Sequence, residues 1–232
     1  MKEKITAIVP AAGFGKRFGE HTNKQFEILN DKPLIIWPLE TMEAMPEIYE
    51  IIPVLKEEDM EYGVEIFEKY RISKVKRIAP GGRERQDSVF NGLNLIDDKK
   101  SIVLVHDGVR PLIESYVIRE AIKQLKDCDG VVVGVPLKDT IKEAENGIVR
   151  KTLKRDMLWS VQTPQLFSYK TIYNAYENAM KDSSYSTDDS ALVERYGGRI
   201  RVVMGSYANI KITTPEDIMI ARLFLQLKTG ET

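Results

Sequence analysis

Short apolar runs alternate with helix-patterned segments along the chain. The apolar runs are typical of strands and lie at 5–10, 50–55, 74–79, 101–106 and 130–136. Apolar residues at helical spacing predict helices between them, at 32–45, 58–70, 84–95 and 114–126. This alternation predicts an α/β fold with a mostly parallel central sheet and helices on both faces. The run SIVLV is apolar after its first residue, as expected of a strand that is buried on both sides.

Residues 137–161 break this alternation. The segment is charged, and its Asn146–Gly147 pair suits a tight hairpin because these residues tolerate positive φ. It carries too few apolar residues to pack into a core, so we expect a β-arm that projects from the sheet. A projecting hairpin often grips a second subunit. We therefore expect a single domain spanning 1–232, with 137–161 as its dimerisation arm.

The last third of the chain predicts further helices and strands. One helix is expected over 187–198, with Thr187 as its N-cap. Another is expected over 213–227, with Thr214 as N-cap and Pro215 at the first helical position. Strands are expected at 201–205 and 209–213, and the segment 162–167 is interpreted as structural.

Composition narrows the possible function classes. The 232 residues are 43% hydrophobic with a net charge of -1, so no overall positive charge favours nucleic-acid binding. One cysteine and two histidines exclude an intramolecular disulfide and a multi-histidine metal site. No apolar stretch approaches the roughly 20 residues of a membrane span, and the N-terminal run is unlike a signal peptide. We expect a soluble, cytoplasmic protein without nucleic-acid or membrane partners.

The first apolar run leads into a glycine-rich loop, AAGFGKRFG at 11–19. Its cations favour a phosphate ligand, yet the loop lacks the G-x-x-x-x-G-K-[ST] pattern of a P-loop. A dinucleotide fingerprint starting at Gly13 is excluded as well, because Phe18 stands where the third glycine is needed. A plain connection between a strand and a helix remains the structural alternative.

Three further motifs also follow predicted strands, at 81–88, 106–111 and 137–140. Ligands of open α/β sheets bind outside the carboxyl ends of the strands, so we expect all four motifs to converge on one crevice. Each motif has a structural alternative as a turn or a cap. In the functional interpretation, Asp107 is a carboxylate of the kind that binds metals, and Arg110 is a guanidinium of the kind that binds phosphate.

The crevice would therefore hold cations, glycine backbone and one or two carboxylates. His106 is interpreted as a packed or capping residue, so no nucleophile–histidine pair is evident. This inventory favours phosphoryl or nucleotidyl transfer, in which positioning and charge stabilisation dominate. Phe18 and the lack of a clear acid–base dyad disfavour a nicotinamide oxidoreductase, and a catalytically silent nucleotide-binding module is a third alternative.

Seven motifs in register resemble the 2-C-methyl-D-erythritol 4-phosphate cytidylyltransferase family. They are PAAGFGKR with NKQF, GGRERQDSV, VHDGVRP, PLKDTIK, KRDMLWSVQTPQLF, STDDSALVE and GSYANIKITTPEDI, and they cover nearly the whole chain. The resemblance implies a Rossmann-like nucleotidyltransferase domain whose β-arm is exchanged across a homodimer. It also implies that CTP reacts with 2-C-methyl-D-erythritol 4-phosphate, that pyrophosphate is released, and that Mg²⁺ or another divalent cation is the cofactor.

The resemblance further implies roles for individual residues. Arg17 and Lys24 would flank the α-phosphate of CTP, and Lys211 would face its phosphates. The residues implied in nucleotide binding are Pro10, Ala11, Ala12, Gly13, Phe14, Gly15, Gly81, Gly82, Arg83 and Ser88.

Four residues are implied in acceptor binding by the same resemblance. Asp107 and Arg110 would lie near the acceptor and the ribose, with Asp107 also a candidate metal ligand. Thr140 and Arg155 would reach the acceptor bound to the neighbouring subunit.

The chain departs from the family pattern at Ala208, where many members carry an acidic residue before Asn-Ile-Lys. A ribitol-5-phosphate cytidylyltransferase, or a related sugar-phosphate nucleotidyltransferase, is the alternative. The KRDMLW and STDDSALVE elements favour 2-C-methyl-D-erythritol 4-phosphate as the acceptor.

Overall fold

A mostly parallel sheet lies at the centre of the computed structural model, which describes residues 4–13 and 23–229. The strands are β1 (Ile5–Pro10), β2 (Ile28–Leu29), β3 (Lys32–Pro33), β4 (Ile48–Leu55), β5 (Ala79–Pro80), β6 (Ile102–Val105), β7 (Gly130–Pro136), β8 (Lys142–Glu145), β9 (Ile148–Thr152), β10 (Trp159–Ser168) and β11 (Ile200–Met204). The helices are α1 (Ile36–Glu43), α2 (Met60–Lys69), α3 (Arg85–Asn94), α4 (Ser115–Gln124), α5 (Tyr169–Lys181), α6 (Asp189–Arg195) and α7 (Pro215–Thr229).

The central sheet has the strand order β11-β7-β10-β6-β1-β4-β5. Strand β1 pairs in parallel with β4 and β6, β4 pairs in parallel with β5, and β7 with β11. Strand β10 runs antiparallel to its neighbours β6 and β7. The predicted fold class is confirmed, an α/β fold with a mostly parallel central sheet.

Helices cover both faces of this sheet. Along β1, Ala7 and Val9 pack into one buried cluster with residues of α1, α2 and α4. Ile8, between them, packs into a second cluster with residues of α3, α5 and α6. Successive side chains of a strand point to opposite faces, so a strand between two helical layers needs apolar residues at nearly every position. This requirement explains the uninterrupted apolar runs in the sequence.

A third buried cluster joins two segments that border the candidate site. It contains Val109 and Ile212 together with Leu29, Leu34 and apolar residues of α7. The Ile212 N–H donates to the Val109 carbonyl at 2.9 Å. The chain around residue 211 is thereby held against the loop that follows β6.

Two of the predicted strands are wrong. Residues 209–213 form no strand. Isolated contacts hold the segment in place of a ladder, among them the Ile212 N–H bond to Val109 and a bond from the buried Asn209 side-chain amide to the Thr163 carbonyl at 2.9 Å. Of 74–79, Ala79 alone enters a named strand, and Val75 makes an isolated bridge. Side chains hold this segment instead, as where the Lys74 ammonium donates to the Met45 carbonyl at 2.6 Å.

The patterns also missed several elements, of which β10 and α5 are the longest, and misplaced one cap. Strand β10 contains a polar stretch around Pro164 that interrupts its apolar pattern. Helix α5 begins after Ser168, whose hydroxyl accepts a hydrogen bond from the Thr171 N–H at 3.1 Å. Helix α6 has Asp188 as its N-cap rather than Thr187, because the Asp188 carboxylate accepts the Ala191 N–H at 3.0 Å. Helix α7 begins at Pro215, as predicted.

Strands β8 and β9 form a separate antiparallel hairpin. Asn146 and Gly147 have φ values of 52° and 79°, as the predicted tight turn requires. Every residue of the two strands is exposed. The hairpin is thus present where the sequence predicts it, and its role in dimerisation stays a prediction. In the described ranges, no helix has both the length and the apolar character needed to cross a bilayer.

Candidate active site

A cleft with a volume of about 680 Å³ lies at the carboxyl ends of β1, β5 and β6. Among the described residues it is lined by Pro10, Ala11, Ala12, Gly13, Lys24, Gln25, Gly82, Arg83, Glu84, Arg85, Ser88, Asp107, Val109 and Lys211. Three of the four motifs that the sequence predicts to converge therefore meet here. The prediction is wrong for 137–140 within one chain, because the backbone after Pro136 continues into the arm and Thr140 is exposed.

The first loop forms one wall with its backbone. The Ala11 N–H donates to the Val54 carbonyl at 2.9 Å, which extends the pairing of β1 with β4 past Pro10. Gly13 is exposed at the cleft. Three predicted residues of this loop, Phe14, Gly15 and Arg17, lie outside the described residues.

Lys24 enters the cleft from a short 3-10 helix, Lys24–Phe26. The buried Asp59 anchors this segment, since its carboxylate accepts from the Asn23 side chain at 2.6 Å and from the Gln25 side chain at 3.2 Å. Burial raises the pKa of Asp59, and Lys56 opposes that rise. The residues on either side of Lys24 are therefore fixed, and its ammonium is presented from a braced backbone.

The second loop, formed by residues 81–84 after β5, packs closely against the first loop, at 11–13, because Gly81 has no side chain. A Cβ at Gly81 would lie 2.4 Å from the Cβ of Ala12, and a Cβ at Gly82 would lie 2.3 Å from that of Asp87. Gly81 thus allows the two loops to pack together, and the backbone of Gly82 lines the cleft. The Ser88 hydroxyl accepts from the Gly82 N–H at 3.0 Å and is buried, so Ser88 shapes the loop in addition to lining the cleft.

Asp107 is the carboxylate at the centre of the wall. Its Oδ2 lies 3.0 Å from Nζ of Lys211 and 3.4 Å from Nε of Arg110, and its Oδ1 lies 3.3 Å from Nε of Arg85. Burial alone would raise the pKa of Asp107, but Arg85, Lys211 and Arg110 outweigh it and hold that pKa well below the usual range. The side chain is therefore ionised, and cations hold both of its oxygens.

Arg110 lies behind this wall rather than on it. Burial lowers its pKa, and Asp107 opposes the change. Its Nη1 donates to the Asn209 carbonyl at 2.9 Å. The guanidinium thus ties the loop after β6 to the segment that carries Lys211.

His106 is enclosed by the fold. It is 0% exposed, and its ring nitrogens face the Thr163 hydroxyl and the Arg110 carbonyl, each at 3.1 Å. Burial lowers the pKa of His106 to about 4. The prediction of a packed histidine is confirmed, because a neutral ring with both nitrogens engaged is a poor base.

The sequence patterns assigned no role to two of the polar residues at the site, although Arg85 lies within the predicted motif at 81–88. Arg85 lines the cleft through its contact with Asp107. Thr163 lies below it, where its hydroxyl accepts from the Asp107 N–H at 3.0 Å. The charged residue at the start of a predicted helix was a usable signal for Arg85. No local signal marked Thr163, because its partners come from distant parts of the chain.

Two predicted acceptor residues lie on the arm. Thr140 and Arg155 are exposed, and neither lines the cleft of its own chain among the described residues. The Arg155 Nη1 donates to the Lys138 carbonyl at 2.7 Å, which ties the two limbs of the arm together. Ala208 lines a separate hollow beside α7.

The site partly matches the needs of a magnesium ion. Proteins usually bind Mg²⁺ through one or two carboxylates and leave other positions to substrate phosphates and water. Asp107 supplies one ionised carboxylate at the cleft wall, but both of its oxygens face cations in this structure, Oδ1 toward Arg85 and Oδ2 toward Lys211 and Arg110. Over 4–13 and 23–229, no group of three or more His, Cys, Asp and Glu side chains is placed to hold a metal by itself.

The cleft at the carboxyl ends of the strands combines cations with glycine backbone, a combination that suits the phosphates of a nucleotide. The family model described as IspD, 2-C-methyl-D-erythritol 4-phosphate cytidylyltransferase, matches residues 5–227. The chain belongs to this family.

Individual relatives agree with this assignment over nearly full length. The chain is 45% identical to the protein of that name from Geotalea uraniireducens, covering 98% of this chain and 99% of the relative. It is 46% identical to the one from Clostridioides difficile, covering 96% and 94%. The crystal structure of 4-diphosphocytidyl-2C-methyl-D-erythritol synthase from Anaerococcus prevotii is similar with a TM-score of 0.85 and 34% identity, covering 97% of each chain.

Proposed function

We propose that this protein transfers the cytidylyl group of CTP to 2-C-methyl-D-erythritol 4-phosphate and releases pyrophosphate. One observation carries the proposal. Lys24, Asp107 and Lys211, from three distant segments, line one cleft together with the glycine backbone that the family resemblance assigns to CTP. We place the reaction in the cytoplasm, where CTP is available.

The backbone of the cleft is suited to the nucleotide. Ala11 to Gly13 on one side and Gly82 with Arg83 on the other present main-chain groups, which discriminate bases by hydrogen bonding in a confined space. Gly81 and Ser88 hold these two loops in their close approach. We propose that the cytidine lies between the loops, and that Phe14, Gly15 and Arg17 bind its triphosphate as the family resemblance implies.

The reaction needs charge stabilisation more than a base. The acceptor phosphate has a second pKa of about 6, so its oxygen is already an anionic nucleophile at neutral pH. The obstacle is the repulsion between this anion and the α-phosphate. Lys24 and Lys211, with Arg17, would reduce the repulsion and stabilise the charge that develops on pyrophosphate. Among the described residues of the cleft lining there is no histidine, which is consistent with this chemistry.

A divalent cation, Mg²⁺ in our proposal, would be bound mainly by the CTP phosphates, with Asp107 as a candidate protein ligand that would exchange one of its present cation contacts for the ion. Such an ion neutralises phosphate charge and orients the leaving group. The role of Arg110 would be to keep Asp107 and the segment of Lys211 in register beside the acceptor.

The arm would complete the site in a homodimer. Its exposed apolar residues include Ile148 at 73% and Met157 at 77% exposure, and we propose that the second subunit covers them. In a symmetric dimer each arm can reach the neighbouring cleft. Thr140 and Arg155 would then bind the acceptor of the other subunit, and Arg155 would grip its phosphate through two parallel hydrogen bonds.

Pyrophosphate release tests the function. The enzyme is incubated with Mg²⁺ and CTP, ATP or GTP, and with 2-C-methyl-D-erythritol 4-phosphate or ribitol 5-phosphate. We expect release with CTP and the methylerythritol phosphate, and little with the purine nucleotides or ribitol phosphate. Equal release with a purine nucleotide would contradict the proposed base pocket, and preference for ribitol phosphate would contradict the acceptor.

A further inference from the structure

Arg85 connects the cleft to the buried interior. It occupies the first position of α3. Its Nη1 and Nη2 donate to the two carboxylate oxygens of Asp189, at 2.7 and 2.8 Å. Its Nε faces Oδ1 of Asp107 at 3.3 Å. One guanidinium thus spans from α6 to the carboxylate at the cleft wall.

Asp189 is itself fixed by α5. It is 0% exposed, and its Oδ1 accepts a hydrogen bond from the hydroxyl of Tyr176. Burial and the adjacent Asp189 charge raise the pKa of Tyr176 well above its usual range, so the phenol remains a donor. The hydrogen bond from Tyr176 fixes the orientation of the Asp189 carboxylate, and that orientation sets the plane of the Arg85 guanidinium.

The planar fork of arginine is essential to this arrangement. Arginine offers parallel N–H groups that bind a carboxylate at two points, a geometry that lysine cannot reproduce. With both Nη atoms engaged at Asp189, Nε is the atom directed at Asp107. The contact occupies Oδ1 and leaves Oδ2 of Asp107 to Lys211 and Arg110.

We propose that Arg85, clamped by Asp189 and Tyr176, is a positioning residue for nucleotidyl transfer. It fixes the Asp107 carboxylate and, through it, the Lys211 ammonium. The inference rests on the proposed function, in which Lys211 faces the CTP phosphates. Since Arg85 acts through Asp107, its loss affects the transition state more than the capture of CTP.

Arg85→Lys tests the proposal, because it keeps the charge and removes the fork. Arg77→Lys is the matched control: Arg77 binds both oxygens of Glu50, at 2.8 and 3.1 Å, and does not line the cleft. We expect Arg85→Lys to lower kcat at least ~10-fold with KM for CTP within ~3-fold of wild type, a loss of transition-state stabilisation. Arg77→Lys should leave both constants unchanged.

The pairing with Asp189 supplies a second readout. If the two residues act as one unit, Asp189→Asn should add little to the kcat loss of Arg85→Lys in the double variant. Should Arg85→Lys fail to fold, Tyr176→Phe removes one hydroxyl and should still lower kcat at unchanged KM.

The opposite results would overturn the inference. These are turnover of Arg85→Lys equal to that of Arg77→Lys, a loss confined to KM for CTP, or additive losses in the double variant. Wild-type turnover is measured first with the same substrates. Its absence would overturn the proposed function, whereas turnover that persists in Arg85→Lys would overturn the positioning role alone.

Discussion

The Nζ atom of Lys211 lies 3.0 Å from Oδ2 of Asp107, and the side chains of this pair are 38% and 8% exposed. The two residues come from segments that are distant in sequence. They meet because Ile212 hydrogen-bonds to Val109 and both pack into one apolar cluster. The position of the Lys211 charge at the cleft wall is therefore set by the fold of the free protein.

Lys24 lines the same cleft from the short helix Lys24–Phe26, which is distant in sequence from Asp107 and Lys211. Lys24→Ala should lower turnover by ~10²-fold or more, the effect of removing one donor that stabilises charge in a transition state. Steady-state kinetics measure this change. Lys170→Ala, an exposed lysine on α5, is the control and should behave as wild type. Turnover of Lys24→Ala within a few-fold of wild type would remove Lys24 from the mechanism.

Gly82 tests the close approach of the loops. A Cβ there would overlap the Cβ of Asp87, so Gly82→Ala should lower the free energy of unfolding by ~1–3 kcal/mol, as overpacking does, and should weaken CTP binding. Gly13→Ala is the control for stability, because no described residue lies within 4 Å of its added Cβ. Urea unfolding and calorimetric titration with CTP report the two effects. Equal stability of the two variants would contradict the prediction, because it would mean that the loop at 81–84 moves to accommodate the added Cβ at little cost in free energy.

His106 predicts a pH dependence of stability. Its pKa is about 4 in the folded protein against ~6.5 when unfolded, so the unfolded state binds a proton first as pH falls. His106 should therefore cost the folded protein stability from about pH 6.5 downward, with the loss complete near pH 4 and worth about 3 kcal/mol.

His106→Gln removes this titration. All other groups are shared, so the difference in unfolding free energy between wild type and variant isolates His106. We expect that difference to shift in favour of the variant as pH falls from 6.5 to 4. A difference that stays constant over this range would mean that His106 titrates normally in the folded protein.

Arg155 tests the shared site. Arg155→Ala should weaken use of the acceptor and leave CTP affinity nearly intact, because Arg155 lies on the exposed arm. Each of the variants Arg155→Ala and Lys24→Ala should be nearly inactive alone. In a mixed dimer one of the two sites is wholly wild type, so co-assembled chains should regain part of the activity.

Native mass spectrometry establishes whether mixed dimers form. If they form and no activity returns, or if the wild-type protein is an active monomer, each site belongs to one chain. Lys138→Ala serves as the control on the arm, since Arg155 contacts the main-chain carbonyl of Lys138 and not its side chain.

The sequence predicts the sheet better than it predicts the links between distant segments. Runs such as 101–105 are recognisable because a strand between two helical layers must be apolar on both sides. Placement of the motifs after 5–10, 74–79 and 101–106 predicts their convergence, because parallel strands end at one edge of the sheet. These inferences need only local patterns and one topological rule.

Contacts across the fold lie beyond such rules. Strand β10 is hidden by a polar stretch whose partners, His106 and Asn209, come from other elements. The segment 209–213 has the apolar spacing of a strand, yet Asn209 binds it to β10 by side-chain bonds. The pairing of Arg85 with Asp189 likewise depends on the packing of α3 against α5 and α6.

The central claim is that an oxygen of the acceptor phosphate attacks the α-phosphorus of CTP. Tracing the oxygen that bridges the two phosphates of the product tests this claim most directly. The acceptor is prepared with ¹⁸O in the non-bridging oxygens of its phosphate and is incubated with the wild-type enzyme, CTP and Mg²⁺. Mass spectrometry then locates the label. If an acceptor oxygen attacks the α-phosphorus of CTP, all of the label remains in the 4-diphosphocytidyl-2-C-methyl-D-erythritol product, and the released pyrophosphate carries none. Labelled pyrophosphate, or release of CMP with a triphosphorylated acceptor, would contradict the account.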